Sequence, residues 1–171
     1  VFQIMEITSN IIVCVNLLDE AKKKGIAIDL KKLAILLGVP VVGTIGKKKK
    51  TLVNLKNEIT NVCSGKISPI PKIIKYIPII EDSIALLSPE IDIPFPLSRW
   101  ISLKLICNNE RLLSSISNNF QVNLITPNIN TKLDEISYLL ARNDINASNI
   151  ENSLLTSILK QCENITNAVC T

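Results

Sequence analysis

Two short β-branched runs constrain this chain more than anything else in it. Asn10-Ile-Ile-Val-Cys-Val-Asn16 and Val39-Pro-Val-Val-Gly-Thr-Ile45 are apolar and bounded by polar or turn-forming residues, the pattern of strands buried on both faces of a parallel sheet. Residues between them carry helical signals instead. Leu17 to Lys24 ends in three lysines and Gly25, cations near a helix C-terminus followed by the residue that best adopts the left-handed cap. Asp29 can cap a second helix, Leu30 to Leu37, that stops at Gly38. Pro40 falls at the start of its strand, where a missing N–H costs least. After a lysine loop, Thr51 is placed to cap a helix whose apolar residues Leu52, Leu55, Ile59 and Val62 recur at three and four, closing at Cys63-Ser-Gly65. Val1 to Thr8 reads as the end of an earlier helix. Strand, helix, strand, helix is the order of an α/β layer.

From Lys66 onward Pro69, Pro71, Pro78, Pro89, Pro94 and Pro96 punctuate the chain and no further strand is evident. Amphipathic segments at Ile79 to Leu87, Leu97 to Ile106, Glu110 to Ser117, Leu133 to Arg142 and Ile150 to Val169 suggest a small helical bundle. The predicted fold class is therefore α/β followed by all-α, with residues 1–66 as one domain and 67–171 as the other. At 171 residues and 47 % apolar, a chain can bury roughly 70 % of its unfolded surface and is too apolar to be disordered.

Composition removes many functions. Histidine is absent, which excludes histidine triads and every zinc site that needs an imidazole. The net charge of +4 sits in two runs, Lys22 to Lys24 and Lys47 to Lys50, which read as solvated helix ends or loops rather than a basic face, so no nucleic-acid partner is expected. Cys14, Cys63, Cys107, Cys162 and Cys170 are odd in number, scattered, and set among apolar neighbours; they read as small buried hydrophobes in a reducing cytosolic compartment, without a metal role. Glu81, Asp82, Glu90 and Asp92 have no imidazole or thiolate grouped with them, so no iron site is assigned. Trp100, the lone tryptophan, is expected to anchor the core of the bundle. The longest apolar stretch, Leu33 to Gly46, is broken by Gly38, Pro40 and Gly43 and falls short of the ~20 residues of a spanning helix. Val1 stands where an initiator Met would be, as expected of an internal piece of something longer.

The chemically informative fragment is Asn16-Leu-Leu-Asp19, directly after the first strand. In α/β nucleotide-binding folds the carboxyl end of a strand opens into the ligand crevice. Guanine offers two adjacent donors, N1–H and the exocyclic amine, that one ionised carboxylate such as Asp19 can accept together; adenine has no such pair. Asn16 can donate its amide toward O6 or N7, or tie the loop down. The plainer alternative is that Asn-x-x-Asp simply caps a helix. Val41-Val-Gly-Thr44-Ile45-Gly46 ends the second strand in a turn whose backbone N–H, with little bulk at Gly46, can approach the guanine O6.

The continuous run from Asn16-Leu-Leu-Asp-Glu-Ala to Leu-Gly-Val-Pro-Val-Val-Gly-Thr44 closely resembles the FeoB family, the bacterial ferrous iron transport protein B. The likeness continues through Arg99-Trp100, Leu103-Lys104-Leu105 and the last helix with Glu163. That resemblance implies the C-terminal part of a cytosolic GTPase domain, the last strands of a P-loop GTPase-like parallel sheet, joined to a helical domain. Asn16 and Asp19 then look like the fourth guanine-nucleotide motif, and Thr44, Ile45 and Gly46 like the fifth. Leu17 replaces the lysine of many GTPases, as in FeoB proteins, which implies weak GTP or GDP binding with fast release. Two departures bear on the loop: Lys49 and Thr51 stand where the family has glycines, and Gly43 stands where it has proline.

A phosphate-binding loop requires G-x-x-x-x-G-K-[ST], and no segment fits: Gly46-Lys47 has Val41 where the first glycine belongs and Lys48 where the hydroxyl belongs. None of the five glycines has Asp three residues before it, so the Asp-x-x-Gly metal switch is missing too. The chain alone is expected not to hydrolyse GTP, with Mg²⁺ bound only by an intact G domain. The implied partners are guanine nucleotide, the N-terminal part of the G domain and the membrane permease domain, on the cytoplasmic side of the bacterial cell membrane; a homo-oligomer formed through the parent protein stays open. Without earlier strands, Asn10 to Asn16 would present an unpaired apolar edge. The rival readings are a helical protein-interaction module with a degenerate α/β cap and no nucleotide, and a lysine-loop nucleic-acid binder.

Overall fold

The computed structural model describes residues 1–46 and 48–171; Lys47, part of the expected lysine loop, lies outside the described residues. Helices are α1 (Phe2–Met5), α2 (Leu18–Lys23), α3 (Leu30–Leu37), α4 (Lys49–Cys63), α5 (Pro78–Leu87), α6 (Leu97–Ile106), α7 (Glu110–Phe120), α8 (Pro127–Arg142) and α9 (Ala147–Val169), with strands β1 (Val13–Val15) and β2 (Val41–Gly43). The chain forms two compact units, Val1–Ile73 with Leu159–Thr171, and Ile74–Ile158. Helix α9 therefore gives residues to both. The fold is mixed α/β, mostly helical, with a small two-stranded parallel sheet.

In the first unit β1 and β2 pair in parallel, Val13 with Val41, Cys14 with Val42 and Val15 with Gly43. The strands are shorter than the sequence runs, and they are not buried on both faces: Val13 and Val15 are half-buried and Cys14 is exposed. β1 has β2 as its one strand neighbour among the described residues. Helix α3 forms as the sequence requires. Asp29 Oδ1 accepts the Lys32 N–H at 2.9 Å, and Gly38 ends the helix at φ +72°. Gly38 is irreplaceable for a second reason: a Cβ there would fall on the Ile70 carbonyl, whose own N–H is bound to Gly38 O at 3.0 Å. Residues 169–171 lie antiparallel to 27–29, through Ala27 N to Thr171 O at 2.8 Å and Asp29 N to Val169 O at 2.8 Å.

Helix α4 begins at Lys49, earlier than expected, so Thr51 lies inside its first turn and Lys48 takes the cap position without a side-chain bond. The anticipated apolar stripe is buried only at its end: Val62 is buried and Leu55 half-buried, whereas Leu52 and Ile59 are exposed. Helix α4 packs on β2, too short a strand to cover fifteen helical residues.

The second unit is a bundle in which α5 and α6 pack on each other and on α8, and α7 packs on α6. Ile80, Leu87, Ile101, Ile129 and Ile136 form its centre. Helices α5 and α6 begin and end close to where periodicity placed them. Helix α8 starts six residues before the expected Leu133, because Thr126 Oγ1 accepts the Ile129 N–H at 3.2 Å and Pro127 occupies the first turn. Trp100 is not the core anchor expected of it. It is half-buried, with Lys104 Nζ 5.6 Å from its ring centre, while Ser98, Ile101, Ser102 and Leu105 take the inward face of α6. The cysteines also depart from expectation: Cys14, Cys63 and Cys162 are exposed and Cys107 and Cys170 partly buried. Apolar neighbours in sequence do not share a face with them in either a helix or a strand.

The sharpest polar feature of the bundle joins Arg99 to Glu81 by two bonds of 2.7 and 2.8 Å. Arg99 also donates to Ile74 O at 3.1 Å, and Glu81 accepts the Tyr76 N–H at 2.6 Å. Glu81, one of the carboxylates considered above, is thus committed to an ion pair.

Candidate functional site

The site lies where both strands of the first unit end. Val15, the last residue of β1, accepts the Thr44 N–H at 2.8 Å, so the chain just beyond β1 is held beside the chain just beyond β2. Leu17 then adopts a left-handed backbone, φ 59° and ψ 34°, a conformation that costs a branched residue on the order of 1 kcal/mol or more. This sharp turn starts α2 immediately, and the Leu18 N–H faces Thr44 O at 3.5 Å.

The side chains reinforce the juncture. Thr44, only 2 % exposed, donates its hydroxyl to Asn16 Oδ1 at 3.0 Å. Cys14 Sγ lies 3.3 Å from the same hydroxyl. With its oxygen held by Thr44, Asn16 keeps its amide N–H₂ as the end available to a ligand. No side chain caps α2, so the capping alternative does not describe Asn16, whose oxygen goes to the other loop. Asp19 occupies the first turn of α2 and is partly exposed.

The second loop is tied by Thr51, which bonds the loop itself rather than capping α4. Thr51 Oγ1 accepts the Ile45 N–H at 3.2 Å and donates to Lys48 O at 2.8 Å, while the Lys48 N–H reaches Ile45 O at 2.8 Å. The N–H groups of Thr44 and Ile45 are therefore both engaged. Gly46 is left to supply a backbone donor, and nothing lies within 4 Å of the position a Cβ would take there. Gly43 has a different constraint: an added Cβ would run into the Leu18 and Leu30 side chains. The proline expected from the family pattern would meet both leucines.

The structure thus brings Asn16 and Thr44 into direct contact, and sets Asp19 in the first turn of α2 and Ile45 and Gly46 on the loop after β2. Cys14 belongs to the same arrangement, as do Leu17, inside the fourth-motif segment, and Thr51, in the stretch after the fifth. The signal for Thr51 in the sequence is a hydroxyl residue at the loop-to-helix junction, which equally suits a helix cap. Among the described residues no group of three His, Cys, Asp or Glu side chains is arranged to hold a metal ion.

Residues 1–59 match the family model described as ferrous iron transport protein B. A curated relative, the Fe(2+) transport protein A/Fe(2+) transporter FeoB fusion protein of Porphyromonas gingivalis, is 31 % identical over 110 residues, covering 61 % of this chain and 13 % of the relative. The chain therefore spans about an eighth of that protein's length. Among solved structures, a GDP-bound variant of S. thermophilus NFeoB superposes with a TM-score of 0.77 at 16 % identity, covering 99 % of this chain and 62 % of that one. The cytosolic domain of the T. maritima FeoB iron transporter, in a GDP form, gives 0.62 at 20 % identity, covering 99 % and 59 %. At such identities these structures establish a shared fold.

Proposed function

We propose, from the match of residues 1–59 to the ferrous iron transport protein B family, that the chain is a cytosolic guanine-nucleotide-binding and regulatory segment of a Fe²⁺ transporter of that family. Residues 1–66 are assigned to the C-terminal portion of the G domain and 67–171 to the helical domain. Asp19 accepts guanine N1–H and the exocyclic amine, Asn16 offers its amide to O6 or N7, and the Gly46 N–H donates to O6, with Thr44 and Ile45 shaping the pocket wall. The observation that supports this most directly is the 3.0 Å bond from Thr44 to Asn16, which joins the two base-reading loops.

The phosphates and Mg²⁺ are the business of residues outside these 171, since no Gly-x-x-x-x-Gly-Lys-Ser/Thr loop is among them. Base recognition without phosphate contacts gives weak GTP or GDP binding and no hydrolysis. Partners of this segment are the rest of the G domain and the membrane permease, on the cytoplasmic side of the membrane. No helix among the described residues is long and apolar enough to cross a bilayer.

Asp19→Asn tests the assignment in a protein that carries the upstream phosphate-binding segment. An amide in place of the carboxylate presents a donor where xanthine has a carbonyl, so GDP affinity should fall and xanthosine diphosphate affinity rise, each by about tenfold or more. If neither affinity changes, the segment is a helical interaction module with an α/β cap that does not read guanine.

A further inference from the structure

Charge is divided unequally between the two units. The first carries thirteen lysines and no arginine against six carboxylates, an excess of seven positive charges; the second carries six cations against nine carboxylates. Every described lysine of the first unit is exposed. Five of them also share one end of the sheet. Because β1 and β2 are parallel, Val15 and Gly43 finish side by side. Leu18 and Leu30 flank Gly43, so α2 and α3 both start at this end. Lys31 and Lys32 follow Leu30 directly and Lys48 to Lys50 open α4 after β2, whereas Lys22 to Lys24 close α2, about 9 Å along a helix of six residues.

Helix physics accounts for Lys22 to Lys24, at the C-terminus of α2, but not for the placement of the lysines that open α3 and α4. The first turns of α3 and α4 contain lysines and no acidic residue, although cations at a helix N-terminus oppose its dipole. Nor does internal pairing account for it, since the ion pairs Arg99–Glu81 and Lys132–Glu135 both lie in the second unit and none among the described residues involves these lysines. Asp19, Glu20 and Asp29 are the carboxylates at this end, and Asp29 is occupied in capping α3. A sequence that breaks a local rule repeatedly at one surface is responding to something outside the chain.

We propose that the sheet-end lysines Lys31–Lys32 and Lys48–Lys50, together with Lys22–Lys24 at the close of α2, form a docking surface for anionic lipid headgroups, which holds the first unit against a membrane. Lysine point charges suit a diffuse anionic surface, each worth about fivefold in partitioning. Nucleic acid fits less well: the unit has no arginine for bidentate contacts, and its single aromatic residue, Phe2, is buried, so no stacking platform exists. The inference does not depend on guanine reading.

The test is co-sedimentation of the whole chain with mixed phosphatidylglycerol and phosphatidylcholine vesicles, pure phosphatidylcholine vesicles and a duplex DNA. Binding to the anionic vesicles alone, weakening steeply with salt, is expected. Lys22→Gln, Lys23→Gln and Lys24→Gln together should lower it at least about tenfold, as should Lys48→Gln, Lys49→Gln and Lys50→Gln. The corresponding arginine variants should retain it, and Lys75→Gln with Lys132→Gln in the second unit should leave it unchanged. Equal binding to neutral vesicles would overturn the proposal, tracing adhesion to the apolar strand edge; so would tighter binding to DNA, or glutamine variants that bind like the original. Should those variants unfold by circular dichroism, the lipid and salt comparison on the unaltered chain still decides.

Discussion

Thr44 donates its hydroxyl to Asn16 Oδ1 at 3.0 Å across a sequence separation of 28 residues. One bond thereby joins the ends of two parallel strands and orients the amide of the residue proposed to face the base. Thr44→Val keeps the shape and deletes the donor. Stability should drop by about 1 kcal/mol, read as a shift of the urea midpoint. In the protein with its phosphate-binding segment, GDP affinity should fall several-fold while overall fold, by circular dichroism, is retained.

Gly38 and Gly65 have the same backbone, φ +72°, but different surroundings. An alanine at 65 meets nothing within 4 Å, whereas at 38 its methyl would fall on the Ile70 carbonyl. Gly65→Ala should therefore cost about 1 kcal/mol, the left-handed penalty alone, and Gly38→Ala distinctly more. Equal urea midpoints for the two variants would show that the chain segment at Ile70 yields freely.

The Arg99–Glu81 pair makes the bundle acid-sensitive. Burial alone would raise the Glu81 carboxyl, but the Arg99 hydrogen bonds, the Tyr76 N–H and the charges of Arg99 and Lys75 outweigh it and hold the pKa below its ordinary value of 4.5. A carboxyl lowered on folding contributes stability above its unfolded pKa and loses it as pH falls through the folded one. Thermal midpoints of the unaltered chain should thus decline below about pH 4.5, and Glu81→Gln should flatten that decline. At neutral pH Arg99→Ala should cost about 2 kcal/mol, between the values for exposed and fully buried pairs.

Thiol reactivity should follow exposure. Burial, with Glu151 assisting and Lys104 opposing, pushes the Cys107 thiol above its ordinary value, whereas Cys14, Cys63 and Cys162 are exposed. Alkylation near pH 8 followed by mass spectrometry should therefore find the three exposed cysteines modified well before Cys107. Modification of Cys107 first would mean that α6 opens locally.

Local signals specified much of this protein. Asp29 and Gly38 delimit α3, and α6 runs from Leu97 to Ile106 as its periodicity demands, because caps and apolar spacing act within one helix and need no distant partner. Even the candidate site was visible as two motifs, Asn16 with Asp19 and Thr44 to Gly46, each at the end of a β-branched run. Burial was a different matter. That Leu52, Ile59 and Cys14 face solvent, and that Trp100 yields the centre of the bundle to Ile101 and Leu105, depends on which elements lie opposite, and periodicity names a face without naming what covers it. The division of labour in the loops was likewise a tertiary outcome. Residue types supplied the donors and acceptors. Only the parallel register of β1 and β2, by setting Val15 beside Gly43, determined that Asn16 would be bound by Thr44, while Thr51 takes the Ile45 N–H within its own loop and leaves Gly46 facing open space.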